Sequence, residues 1–198
     1  MRAPVNVWWL GLSAPPENVV RWLRDAPPAW GGTLLALTVW LGFCALMQFA
    51  GLVMFPPALP EVGVPQLWAY GIYSGLLMLV AALGIAWLGS LLAEAFDGRR
   101  DMEAALVAAA LAFIPWGLAK FLRDWPGGAW LAWLAVLWGL LLLYRTLGAA
   151  LHLRSGRVAH LFAVLMGTLL LMLAVGWQLR DLIPGAAPAA RMGRLWLI

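Results

Sequence analysis

One cysteine, one lysine and nine acidic residues among 198 positions set the first limits. With Cys44 alone, an intrachain disulfide and a multi-cysteine metal site are both excluded. Cys44 lies in an apolar run and reads as a small buried hydrophobe. Charge is scarce: 11% of the residues are Asp, Glu, Lys or Arg, where soluble domains carry about a quarter. The chain therefore lacks the polar surface of a water-soluble globule. The only histidines, His152 and His160, flank one short loop with Arg154 and Arg157 between them. That is a poor electrostatic setting for a metal or for haem iron. There is no Ser-His-Asp pattern, phosphate-binding glycine loop or HExxH, so no catalytic residue, cofactor or metal is expected.

What the chain does have is apolar residues, 64% of the total, in blocks long enough to cross a bilayer, where about 20 residues are needed. Five blocks predict an all-α, polytopic membrane protein with spans at 32–55, 67–92, 103–120, 129–151 and 158–179. The membrane domain is residues 31–182, preceded by an N-terminal segment at 1–30 and followed by a short tail at 183–198. In the N-terminal segment Ser13, Pro15 and Pro16 can open a helix with Val19, Val20, Trp22 and Leu23 on one face. Such a helix lies flat at the membrane surface, and Pro27 and Pro28 end it. Five prolines and two acids precede the first apolar block, which predicts that no cleavable signal opens the chain.

The formal charge is +4 and the sequence pI is about 10.0, but the basic residues are scattered in ones and twos near the span ends. They suit anionic headgroups, not nucleic acid. With the N-terminus inside, Arg2, Arg21, Arg24, Arg99, Arg100, Arg145, Arg154 and Arg157 are cytoplasmic, against Lys120, Arg123, Arg180, Arg191 and Arg194 outside. Eight against five, together with a base-free first loop, favours N-inside and C-outside.

Span two contains Gly71-Ile-Tyr-Ser-Gly75. Small residues four apart share a helix face and admit another backbone, within the chain as the first reading and at a dimer face as the second. The turn Glu94-Ala-Phe-Asp-Gly-Arg-Arg-Asp-Met-Glu103 alternates acids with Arg99 and Arg100 and reads as a solvated, self-paired loop. Span three follows, with Ala104, Ala105, Ala108, Ala109 and Ala112 and a single Pro115 near its far end. A small-faced helix interrupted by proline belongs inside the bundle, where neighbours cover the freed backbone. Arg145 is the most interior charge. It reads as a residue snorkelling to the headgroups, with an internal partner such as Glu94 or a substrate role as alternatives. Gln48 and Gln178 read as interhelical hydrogen-bonding groups. With essentially no acid at mid-span, ion-coupled transport is disfavoured.

Three stretches also carry a resemblance. They are Pro16-Glu-Asn-Val-Val-Arg-Trp-Leu-Arg-Asp-Ala-Pro-Pro28, then Phe96-Asp-Gly-Arg-Arg-Asp-Met-Glu-Ala-Ala-Leu106 leading to Ile114-Pro115, and Leu137-Trp-Gly-Leu-Leu-Leu-Leu-Tyr-Arg-Thr-Leu-Gly148 followed by Arg157. In that order the chain resembles the bacterial branch of the Yip family, five-span membrane proteins. The resemblance implies five helices and a cytoplasmic N-terminus. Its eukaryotic members are linked to vesicle traffic and small GTPases; a bacterial relative would carry over the architecture, and no partner-binding residue transfers. The expected role is a non-enzymatic scaffold or accessory subunit in a bacterial inner membrane, touching lipids and other membrane proteins or a second copy. The alternative is a lipid-handling or small-solute transport protein. Arg145, Pro115, Gly71, Gly75, Arg99 and Arg100 are the candidate lipid or partner contacts.

Overall fold

The computed structural model describes residues 30–54, 64–123 and 127–179. The surface helix expected at 16–25, the loop containing Glu61 and the tail lie outside the described residues. Five helices follow one another: α1 (Trp30–Met54), α2 (Val64–Ala93), α3 (Met102–Arg123), α4 (Ala129–Ala150) and α5 (Ser155–Leu179), with a single 3-10 turn at Glu94–Phe96. The described residues contain no strand. The helices run 22 to 30 residues, about 33–45 Å at 1.5 Å per residue, enough for a hydrocarbon core of about 30 Å. Four of them are long and apolar enough to cross a membrane, and the apolar stretch Gly31–Met47 of α1 adds a shorter fifth.

The helices overrun the apolar spans read from sequence: α2 begins at Val64, α3 extends to Arg123 and α5 begins at Ser155. The added turns carry Arg123, Gly156 and Arg157, groups that a hydropathy count stops at but that continue a helix into the headgroup layer without cost to its backbone bonds.

Helix α3 is the centre. Every residue from 105 to 117 is buried, because α1, α2 and α4 all pack on it. The core includes Ala105, Ala108, Ala109, Ala112 and Phe113 of α3, with Leu37 and Leu41 of α1, Ala82 and Ile85 of α2, Leu143 and Leu147 of α4 and Leu165 of α5. No water-driven hydrophobic force draws helices together in lipid, so close backbone approach over small side chains supplies the packing. At Gly139 of α4, a Cβ would stand 2.3 Å from Trp116 Nε1 and 2.8 Å from the carbonyl of Ala112. Only glycine lets α4 lie that close to α3.

Pro115 falls inside the buried run, and α3 continues through it to Arg123. Proline supplies no N–H to the preceding turn, and the surroundings tie this segment down from two sides. Trp40 Nε1 of α1 donates to the carbonyl of Ile114 at 3.0 Å. Trp116 Nε1 of α3 donates to the carbonyl of Val136 on α4 at 3.0 Å. Each indole N–H thereby has a partner where water is absent, as a buried tryptophan requires.

Helix α5 is held differently. It packs on α2 and more lightly on α4, through Tyr73, whose hydroxyl donates to the carbonyl of Gly176, and through Tyr144, whose ring meets Phe162 edge-on with centroids 5.4 Å apart.

Candidate functional site

Three regions could act on something outside the chain: the loops at one end of the bundle, the open face of α5, and a groove between α1 and α2.

The loops joining α2 to α3 and α4 to α5 are built alike. After α2, the N–H of Gly98 donates to the carbonyl of Ala93 at 2.8 Å and that of Asp97 to Glu94 at 3.3 Å. After α4, the N–H of Leu153 donates to Gly148 at 3.0 Å and that of His152 to Ala149 at 3.4 Å. Both are Schellman closures, in which the residue past the helix takes a left-handed conformation. Here those residues are Asp97 (φ 62) and His152 (φ 53), members of the small set of non-glycine residues that tolerate it. The two caps are joined: the N–H of Arg99 donates to the carbonyl of Leu151 at 2.8 Å. Gly98 makes the junction possible, since a Cβ there would lie 2.5 Å from Leu153 Cδ2 and 2.8 Å from the Leu151 carbonyl.

The charges do not pair as the alternation in sequence suggests. Asp97 reaches across to Arg157 Nε at 3.4 Å, not to Arg99 or Arg100. The left-handed turn at Asp97 aims its side chain at the neighbouring loop. Asp101 accepts the N–H of Ala104 at 3.0 Å and so caps α3. The expected self-paired loop is thus a loop paired to its neighbour. Arg99, Arg100 and Arg154 are exposed and make no ion pair among the described residues. His160 uses Nδ1 on its own helix, donating to the carbonyl of Gly156 at 3.0 Å. No group of three His, Cys, Asp or Glu side chains among the described residues could hold a metal ion.

Gly71 and Gly75 face α1. A Cβ at Gly71 would meet the Ala45 carbonyl at 3.4 Å, and one at Gly75 would meet Ala45 Cβ at 3.5 Å. Beside this contact lies an apolar groove of about 320 Å³ that opens outward between Thr38, Ala45, Leu46, Trp68 and Ile72. Arg145 continues the exposed stripe Leu134, Leu137 and Leu141 on α4 and makes no ion pair with Glu94 or any other acid among the described residues. Gln178 is exposed, while the side chain of Gln48 lies outside the described residues. The candidate residues do not converge: Pro115 lies thirteen residues into α3, about 20 Å along the helix from the loops that carry Arg99 and Arg100.

The open face of α5 carries small residues four apart at Ala163 and Gly167, the spacing also found at Gly71 and Gly75, and only the packing tells the two apart. Ala163, Val164, Gly167, Leu170 and Leu171 are exposed along it, and a Cβ on Gly167 would meet nothing within 4 Å.

The Yip1 domain family matches residues 10–177, which takes in all five helices except the last two residues of α5. The chain belongs to the Yip1-domain family. Neither a search of curated proteins nor a search of solved structures returns a match. This Yip1 domain is a multi-pass helical membrane unit with α3 enclosed, α5 largely exposed and two loops bonded together at one end.

Proposed function

We propose that this Yip1-domain protein is a non-enzymatic scaffold or accessory subunit of a bacterial cytoplasmic membrane, with its N-terminus inside. The observation that carries the reading is the contrast in how the small residues are used. Those of α3 are covered on every side, whereas Ala163 and Gly167 of α5 stand open. Small residues four apart on a lipid-facing helix admit the backbone of another helix. The buried run of α3 from 105 to 117 contains no charged or hydroxyl side chain, so α3 itself contributes none of the polar lining that a solute route needs. Mild-detergent extraction from native membranes followed by native mass spectrometry tests the reading. Recovery with a companion membrane protein or a second copy in fixed ratio supports it. A lone chain, with nothing captured by crosslinking in intact membranes, contradicts it.

A second reading has its own observation. The α1–α2 groove is apolar, open and of a size to hold part of an acyl chain, which suits lipid handling. Arg145 on the outside of α4 would meet a headgroup. Unchanged lipid retention or flux in Arg145→Ala counts against that role.

A further inference from the structure

The bonded loops carry more exposed positive charge than their own contacts use. Backbone bonds, not side-chain pairs, hold the two loops together: Arg99 N–H to Leu151, Gly98 N–H to Ala93 and Leu153 N–H to Gly148. This places Arg99, Arg100, Arg154 and Arg157 on two strips of chain that touch. Arg157 has Asp97 as a partner, while Arg99, Arg100 and Arg154 have no acid among the described residues. Of the other acids at this end, Asp101 is committed to capping α3. Glu94 and Glu103 are exposed, in the turn that follows α2 and the first turn of α3.

Location agrees; the four acids at this end equal the four arginines in number, so the anion is held by direct guanidinium contact and not by net charge. The strips connect the ends of four apolar helices and so lie at headgroup depth. Helix α5 has no acidic residue in its first turn and begins beside Arg154 and Arg157, although cations at a helix N-terminus are of the wrong sign for the helix dipole. These arginines do not serve the helix. An anion seated among them would satisfy both the guanidinium groups and the dipole.

We propose that the joined loops form a phosphate-binding face that holds the phosphodiester of an anionic phospholipid. Arg99, Arg100 and Arg154 supply the free guanidinium groups, and the Asp97–Arg157 pair borders the face. The Asp97 carboxylate limits the affinity, since it both occupies Arg157 and repels the phosphate, and the exposed Glu94 and Glu103 carboxylates repel it as well.

The test uses the full-length protein in nanodiscs of phosphatidylcholine with and without phosphatidylglycerol, with lipid retention read by native mass spectrometry. One phosphatidylglycerol should be retained in preference to phosphatidylcholine. Each of Arg99→Gln, Arg100→Gln and Arg154→Gln should weaken it about fivefold, the effect of one basic residue near an anionic surface, and the losses should shrink as salt is raised. The junction uses the Arg99 backbone, so these changes leave the loops joined, which an unchanged melting temperature verifies. Asp97→Asn should strengthen retention about fivefold by freeing Arg157. Equal retention of both lipids, a loss on Asp97→Asn, or displacement of phosphatidylglycerol by inorganic phosphate at equal concentration would each overturn the proposal, the last by assigning the face to a soluble phosphate. None of these outcomes bears on whether α5 binds a protein, so this proposal and the scaffold reading fail separately.

Discussion

Helix α3 is 72% buried over its apolar span and α5 only 22%, yet α5 has the higher mean hydropathy of the two. In water the order would be reversed. In a bilayer the tails solvate leucine as well as a protein core does, so hydrophobicity does not decide which helix goes inside. Side-chain size does. Helix α3 has an alanine at 104, 105, 108, 109, 110 and 112 and lets three helices approach, whereas α5 presents Leu170, Leu171 and Val175 outward. The difference also separates structure from opportunity: whatever this protein binds in the membrane has α5 within reach and α3 out of reach.

The contrast can be broken first at the α3–α4 contact. Gly139→Val drives a Cβ and two methyl groups against Trp116 and the Ala112 carbonyl, and Ala109→Leu overfills the bundle centre. Each should cost about 1–3 kcal/mol, the usual penalty for overpacking, read as a lowered unfolding midpoint in detergent. The matching change on α5, Gly167→Leu, should stay within about 0.5 kcal/mol for the isolated chain in detergent, because nothing of the chain lies within 4 Å of a Cβ there. A large loss there would mean that α5 is buried in the working protein.

A somewhat smaller loss is expected at the loop junction. Gly98→Ala cannot keep the Gly98–Leu153 approach, so the α4–α5 loop should detach. Proteolysis within 151–157 should quicken while cleavage around α3 is unchanged. Below that comes Trp40→Phe, which removes one indole bond to the Ile114 carbonyl. It should cost about 0.5–1.5 kcal/mol by the usual worth of a hydrogen bond, and a cost near zero would show that the segment at Pro115 does not depend on α1. The smallest effect belongs to Asp97→Asn. Its pair with Arg157 is more than half exposed on both sides, so stability should fall by less than about 1 kcal/mol, and the difference should vanish in high salt.

Much of this architecture is readable from residues alone, and the reasons are local. Each span is a block of about 20 apolar residues, and the alanines of the third, with Pro115 among them, mark it as the helix others must cover. The features that escape a sequence reading depend on partners far away in the chain. The bond from Trp40 to Ile114 joins positions 74 apart, and Asp97 passes over Arg99 and Arg100 to reach Arg157. Two helix caps rest on Asp97 and His152, where glycine is the usual signal. Most instructive are the small residues. Gly71 and Gly75 invite attention as a motif and turn toward α1 in the same chain, while Ala163 and Gly167 have equal spacing and face outward. Spacing reveals that a helix can be approached closely, and only the packing of the whole bundle decides by what.

The central claim is that α5 is the face this Yip1 domain offers to other membrane proteins, and a photocrosslinking amino acid placed at Gly167 or at Ala109 tests it most directly in native membranes. The account predicts a discrete protein adduct from position 167 and only internal crosslinks from position 109. Lipid adducts alone at position 167, or a protein adduct from position 109, would contradict it.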